Sequence, residues 1–338
     1  MKGKKIAGGI MKKALIAVLI SVFISINVRA LDMPFFYEPA PGASMSGALT
    51  AGADDETALY YNPACMVYVK KNTISVDGKI HNYDFNGNAA KENYFNSGVS
   101  SGAAFKGFGF RAAFTQAGDK LTVDARGNSY LEDTLLLTGG FGYDLGAVKA
   151  GAAFNIIALS GIAEGVSFDA GMLFEINERV RAGITVKNLI NSSFIYALDD
   201  YSILSKCMMP VFVNLGINFR PFDFVSVNFD VHNLFEARSR VDLISGIPAD
   251  YTFKREFILG ARGYIGNNFI VKAGIKSGEN KTNANPFENE YSIRTSLSAG
   301  IGYVNDMLKV EAVYFNDFRT VNGAKNPGGF MLGSGWYF

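Results

Sequence analysis

Asp230, His232 and Ser226 fall on alternate residues of one extended run, so a carboxylate, an imidazole and a hydroxyl would share one face of a strand. Nucleophilic hydrolysis needs three such groups within hydrogen-bond reach of one another, with the nucleophile held in its own motif. No nucleophile motif surrounds any serine, and the one other histidine is His81. The run therefore reads as polar residues lining an interior. No catalytic residue, metal or cofactor is expected, and the chain is not expected to be an enzyme.

A second set of chemistry-bearing residues is basic. Lys149, Arg181, Lys187, Arg262, Lys272, Lys276, Arg294 and Lys309 alternate with apolar residues, which puts them on the inner side of whatever the strands enclose. Fewer acids share that side, Asp230 and Glu311 among them. Such a lining attracts the carboxylate of a fatty acid or another amphipathic anion, with Lys149, Arg181, Lys187, Arg262, Lys272 and Arg294 as candidate contacts. The plainer reading, favoured for most of these cations, pairs them with Asp54, Asp55 and Glu56.

The elements that must position these groups are legible from both ends of the chain. At the C-terminus Phe330, Leu332, Trp336 and Phe338 occupy one face of a closing strand, interrupted by Ser334. An aromatic face with no following partner suits a strand whose outer side meets lipid and whose edge pairs with the first strand of a closed barrel. At the N-terminus the lysines from Lys2 to Lys13, the apolar run Ala14 to Ile26 and Val28-Arg29-Ala30 read as a secretory signal cut after Ala30. The run is shorter than the ~20 residues of a membrane anchor, and Met11 is a more natural start than Met1.

Composition agrees with a barrel. Phe (28), Tyr (16) and Gly (37) are abundant, Trp (1) and Pro (9) are scarce, and a net charge of +1 argues against nucleic acid as a partner. No apolar run after the signal is long enough for a membrane helix, so a membrane-spanning form has to be a closed barrel. A soluble sandwich would share this composition, so the pattern has to decide.

Period-2 alternation bounded by turn residues predicts fourteen strands, near 73–83, 95–106, 107–116, 130–144, 147–160, 163–175, 179–190, 207–219, 222–235, 254–265, 267–276, 291–303, 307–317 and 328–338. Short links follow the even-numbered strands two to twelve, and long polar links follow most odd-numbered ones; only the link near Ser160 breaks the rule. That alternation is expected of an even-stranded outer-membrane barrel, with tight periplasmic turns and long outer loops. Greek-key sandwiches have no reason to show it. In this topology Cys65 lies near the periplasmic mouth, whereas Cys207 begins a strand at the outer end. Their separation exceeds the ~7 Å that a disulfide allows, so two free thiols are expected even in an oxidising compartment.

Residues 31–72 precede the barrel at 73–338 and read as two short helices, with Asp54-Asp55 before an N-capped turn and Asn62-Pro63 as a stop. Too small for a core of its own, this segment must pack into the lumen or its periplasmic mouth. The stretch from Ala53 to Ala64, with Asp54, Asp55, Asn62, Pro63 and Ala64 as its motif residues, is similar to the N-terminal hatch of the FadL-like barrels and closer still to their PorV/PorQ branch. Val186-Lys187-Asn188-Leu189, Met209-Pro210-Val211 and the run Leu215 to Pro221 also resemble that branch; Cys65-Met66 departs from it, standing where these families have glycine and then an apolar residue.

The resemblance implies a 14-stranded barrel with an N-terminal plug in the bacterial outer membrane. It implies a channel for uptake of hydrophobic or amphipathic, fatty-acid-like molecules, gated by the hatch. The alternative it implies is a non-transporting protein that binds secreted, periplasmic or secretion-machinery proteins. In either case outer-membrane lipid surrounds the barrel.

Overall fold

The computed structural model describes residues 38–338 apart from 86–91, 117–121, 124–128, 131–133, 160–162, 192, 198–203, 209–210, 237, 243–247, 253–254, 281–291, 318–319, 322–323 and 326–327. The expected signal segment and the link near Ser160 lie outside the described residues, as do the side chains of His81, Cys207 and Arg294.

Fourteen antiparallel strands close into one barrel. They are β1 Thr73–Phe85, β2 Glu92–Phe105, β3 Phe108–Gln116, β4 Thr134–Asp144, β5 Val148–Leu159, β6 Ala163–Asn177, β7 Val180–Asn191, β8 Phe212–Phe222, β9 Val225–His232, β10 Glu256–Ile265, β11 Phe269–Asn280, β12 Ser292–Val304, β13 Leu308–Asp317 and β14 Gly328–Tyr337. Closure joins β1 to β14 from Thr73↔Tyr337 to Asn82↔Gly328, and the Phe338 N–H donates to the Asn72 carbonyl at 3.1 Å. Every ladder edge is thereby paired, which is what a sheet inside a lipid bilayer requires.

Period 2 sorts the side chains. Phe330, Leu332 and Trp336 are 64%, 65% and 48% exposed on the outer face, while their neighbours Met331 and Gly333 turn inward and are buried. Phe110, Phe141, Phe219, Phe229 and Phe257 continue the apolar outer belt. No described helix is long and apolar enough to cross a membrane, and the strands provide the crossing.

Several strand boundaries differ from expectation. β8 begins at Phe212 rather than at residue 207, because Pro210 has no N–H to give to a ladder and the barrel strand starts beyond it. Cys207 instead belongs to the short strand Leu204–Met208, which joins Ser193–Ala197, Arg238–Asp242 and Pro248–Thr252 in a separate four-stranded sheet. Where Pro221 was read as a turn residue, β8 continues through Phe222, with a register shift between Phe219 and Phe222, so β9 starts only at Val225. β9 also stops at His232, because Asn233 takes a left-handed conformation (φ 54°). The fourth strand starts at Thr134, and Ser129–Tyr130 pairs with Thr122–Val123 in a hairpin of the preceding connection.

The segment before β1 crosses the lumen. It contains helices α1 (Ala40–Ala43) and α2 (Ala58–Tyr61) and a 3-10 turn (Pro63–Tyr68). Asn62 is extended (φ −159°), ends α2, and caps the following turn by accepting from the Ala64 N–H at 3.0 Å. The capping at the start of α2 differs from the expectation for Asp54-Asp55: Thr57 is the N-cap, and Asp55 Oδ1 accepts from its N–H (3.0 Å) and its hydroxyl (2.6 Å).

Glycines on the inner wall let the backbone of this hatch lie directly against the strands. A Cβ at Gly151 would collide with Pro63 and Ala64 main-chain atoms, and one at Gly183 would sit 2.5 Å from the Thr50 carbonyl. Met45, Leu49, Leu59, Tyr61, Cys65 and Met66 pack with Ala104, Ala153 and Leu173 of the wall into the apolar core inside the barrel.

Candidate functional site

The hatch meets the wall through two ionic clusters at the end of the barrel where the short turns lie. In the first, Asp54 is clasped by Arg262 of β10, with Nη1 donating to Oδ1 at 2.8 Å and Nη2 to Oδ2 at 2.9 Å. Arg220 of β8 adds a third bond to Oδ2 at 3.3 Å. Burial alone would raise the Asp54 carboxyl, but the Arg262 guanidinium holds it below the usual carboxylate range.

In the second cluster Lys309 of β13 reaches Asp55 Oδ2 at 2.7 Å and Glu56 Oε1 at 3.3 Å. Asp55 is likewise opposed by burial, yet the Lys309 and Lys272 charges draw its carboxyl down. Glu56 goes the other way. Burial raises it, Lys309 offsets only part, and the neighbouring Asp55 and Asp77 charges push it further, to about 7. Its Oε2 is buried with no hydrogen-bond partner among the described residues.

Asn62 Nδ2 donates within the hatch to the Thr50 carbonyl at 2.8 Å and, more weakly, to the wall carbonyls of Met172 on β6 at 3.2 Å and Ile184 on β7 at 3.4 Å. Pro63 and Ala64 sit against Gly142 and Gly151. The motif residues Asp54, Asp55, Asn62, Pro63 and Ala64 are thus among the points at which hatch and barrel touch, together with Thr50 against Asp230 and Glu56 against Lys309.

The cations proposed from sequence have different partners. Arg262 and Lys309 hold hatch acids, whereas Lys272 pairs with Glu311 of β13 at 2.8 Å and donates to the hatch carbonyl of Pro41 at 3.2 Å. Lys149 bridges Asp144 (2.9 Å) and Glu175 (3.0 Å), and also donates to the Gly146 carbonyl. Lys276 lies 3.9 Å from Glu256. Arg181 donates to Asn218 at 3.2 Å and stacks over Tyr68, its Cζ 4.3 Å from the ring centre.

Lys187 is placed by a wall irregularity: the β6–β7 register shifts between Phe168 and Ala170, Asn188 is left-handed (φ 56°), and its N–H donates to Asp169 at 2.8 Å. There its ammonium sits 4.1 Å from the centre of the Tyr60 ring, which Arg111 approaches at 5.1 Å. Tyr60 and Lys187 face the interior yet are only half-buried, so their open surface faces the lumen. Burial of the Tyr60 hydroxyl pushes its pKa well above the ordinary value.

Asp230, His232 and Ser226 do not come together as a hydrolytic constellation. His232 Nε2 stands 3.5 Å from Asp230 Oδ2, which accepts from the Thr50 N–H at 2.7 Å. Ser226 lies six residues away along β9, about 20 Å at strand rise, and accepts from Asn218. Cys65 is a free, fully buried thiol pushed up to about 12 by burial, which leaves it unreactive. No group of metal-binding residues is present among the described residues.

Sequence reading missed Arg220, Tyr60, Tyr68 and Glu175. Arg220 was within reach of it, since it continues the inward series Asn214, Gly216, Asn218; Pro221 disguised it as a turn residue.

No protein-family model matches the chain, and no curated protein matches it in sequence. Solved structures do match in fold. A FadL homologue of Pseudomonas aeruginosa superposes with a TM-score of 0.62 at 14% identity, covering 89% of this chain and 98% of the other. The monoaromatic hydrocarbon channel CymD gives 0.58 at 12% over 91% and 99%. The toluene transporter TbuX of Ralstonia pickettii gives 0.57 at 13% over 89% and 98%. The chain is a closed 14-stranded antiparallel barrel with the fold of these three solved structures.

Proposed function

We propose that this protein is an outer-membrane channel for uptake of hydrophobic or amphipathic small molecules, exported by its N-terminal signal. The observation that carries the reading is the barrel-and-hatch architecture, which matches named hydrocarbon channels over about nine-tenths of the chain and nearly all of theirs. Fold does not determine function, so the lumen must support it too. The hatch is seated inside the lumen on wall glycines and ion pairs, which narrows the space open to hydrophilic solutes. On the lumen side of the hatch, Tyr60 of α2 and Lys187 of β7 offer an aromatic surface beside a cation, which suits an apolar body with a polar end.

Purified barrel extracted in mild detergent should carry lipid or hydrocarbon detectable by native mass spectrometry. Proteoliposomes containing it should take up octanoate and toluene faster than protein-free ones, while glucose entry is unchanged. Equal rates for all three compounds with and without protein would overturn the reading.

One observation favours a second reading, of the PorV/PorQ type, in which the barrel does not transport but binds a secreted or periplasmic protein. The two connections around residues 193–252 form a four-stranded sheet of their own beyond the barrel. Crosslinking in intact cells should then recover a secreted or secretion-machinery protein, and recovery of the barrel alone would count against it.

A further inference from the structure

Glu56 lies where the barrel closes, and the register of the closing seam decides what surrounds it. Lys309 of β13 pairs with Gly335 of β14, which pairs in turn with Ser75 of β1; Glu311, Gly333 and Asp77 form the next inward row. The two glycines leave the inner face of β14 open, so groups from β13, β1 and the hatch converge over it. A Cβ at Gly335 would stand 4.0 Å from Glu56 Oε1.

Charge does not balance there. Lys309 reaches Glu56 at 3.3 Å but sits closer to Asp55, at 2.7 Å. Lys272 of β11 is taken by Glu311 at 2.8 Å, and Arg111 of β3 reaches Asp77 through the Ser100 hydroxyl, at 3.0 and 3.1 Å. Tyr337 of β14 also faces Glu56 and carries no charge at ordinary pH. Arg262 and Arg220 beyond are engaged by Asp54. Fully ionised, the four acids Asp55, Glu56, Asp77 and Glu311 thus meet three cations, Lys272, Lys309 and Arg111, among the described residues, and one proton restores neutrality. Glu56 is the place for it, because its side chain is buried and Oε2 has no donor among the described residues. An unsatisfied buried oxygen is far costlier as part of an anion than of a neutral carboxyl.

We propose that Glu56 is a proton-operated latch for the hatch: with its proton it seats the hatch against β13, β14 and β1, and without it the excess negative charge drives this side off the seam. The Asp54 clasp holds the other side, so release opens a passage along the seam rather than expelling the hatch. The sign follows from the burial: Glu56 is raised to about 7 when seated and returns to the ordinary carboxylate range when released, so seating weakens as pH rises through 7. Thr57 passes the movement on, since its carbonyl accepts from the Tyr60 and Tyr61 N–H groups of α2. The latch does not depend on what the barrel carries and holds under either reading of its function.

Hydrogen exchange of the complete barrel in detergent micelles, read by mass spectrometry, tests this. Wild type is compared with Glu56→Gln at the same pH, which cancels the intrinsic pH dependence of exchange. At pH 8 the amides of residues 56–62 should exchange at least about tenfold faster in wild type, and at pH 5 the two proteins should agree. Asp77→Asn removes one opposing charge and should move the wild-type midpoint down by about one pH unit. The barrel strands should stay protected throughout, and conductance across planar bilayers should rise several-fold between pH 5 and pH 8 in wild type alone. Both substitutions are nearly isosteric, and heat-modifiable gel migration verifies the fold.

Equal exchange in the two proteins at pH 8 overturns the latch. So does a pH response that persists in Glu56→Gln, which would move it to another group such as the His232–Asp230 pair, or a loss of protection that hatch and strands share. Release without a rise in conductance would overturn its role as a gate. Uptake of octanoate and toluene at background with the exchange response intact removes the uptake reading alone; uptake without that response removes the latch alone.

Discussion

Asp54 and Glu56 lie two residues apart in the same hatch segment and meet opposite surroundings. Asp54 faces β8 and β10, where two arginines share it, and its carboxyl is held low. Glu56 faces β13 and the β1–β14 seam, where one lysine is shared among acids, and its carboxyl is raised to about 7. The two attachments of the hatch therefore answer to different conditions. The Asp54 side is a charged clasp with an excess of guanidinium, and the Glu56 side is an over-acidic pocket sensitive to protons.

The largest expected effect comes from lifting the hatch off both clusters at once. Gly151→Val places a branched side chain into the Pro63–Ala64 backbone and should destabilise the barrel by about 3 kcal/mol or more, read from the urea midpoint of gel-shift unfolding. A change under ~0.5 kcal/mol would mean that the hatch is not seated as described.

Breaking only the basic side is next. Arg262→Gln leaves Asp54 on the weaker Arg220 bond and should cost about 2–3 kcal/mol, with faster proteolysis of residues 44–57 and the barrel strands still protected. Uniform loss of protection would show that the clasp is not local to the hatch.

The acidic side should give a pH effect of opposite sign. Glu56 has a folded pKa of about 7, above its ordinary value, so its contribution is fully present below about pH 4.5 and is lost as pH rises through 7. Glu56→Gln should remove that fall, making the variant more stable than wild type at pH 8 by about 1–3 kcal/mol and nearly equal to it at pH 4.5. Asp54→Asn should behave in reverse. Its low carboxyl stabilises above the ordinary carboxylate range, so the variant is weaker at pH 6 and converges with wild type only in strong acid. Parallel pH curves for the two variants would erase the contrast.

The smallest effect lies where the hatch faces the open lumen. Lys187→Met removes the cation–π contact with Tyr60, about 0.5–1 kcal/mol, and should alter octanoate uptake more than stability.

How much of this was legible in the sequence follows from the range of the forces involved. Period-2 alternation is local, so the fourteen strands and the inward positions of Lys149, Arg181, Lys187, Arg262, Lys272 and Lys309 could be read directly. Proline misled at Pro210 and Pro221, because its missing N–H matters only relative to a neighbour strand that local reading does not see. The five-residue strands around 193–252 were too short to show alternation. In the site, the hatch acids and wall cations were recognisable as kinds. Which acid met which cation was not, since Asp54 and Arg262 are 208 positions apart and join only when the barrel closes. The orphaned Oε2 and the raised carboxyl of Glu56 belong to three-dimensional surroundings alone.

The central claim is that this barrel admits hydrophobic or amphipathic small molecules. Its most direct test is uptake of labelled octanoate by cells that carry the protein in their outer membrane, compared with cells that lack the barrel. The account predicts rapid uptake with the wild-type protein and background without the barrel. Uptake in wild-type cells no faster than in cells lacking the protein would contradict it.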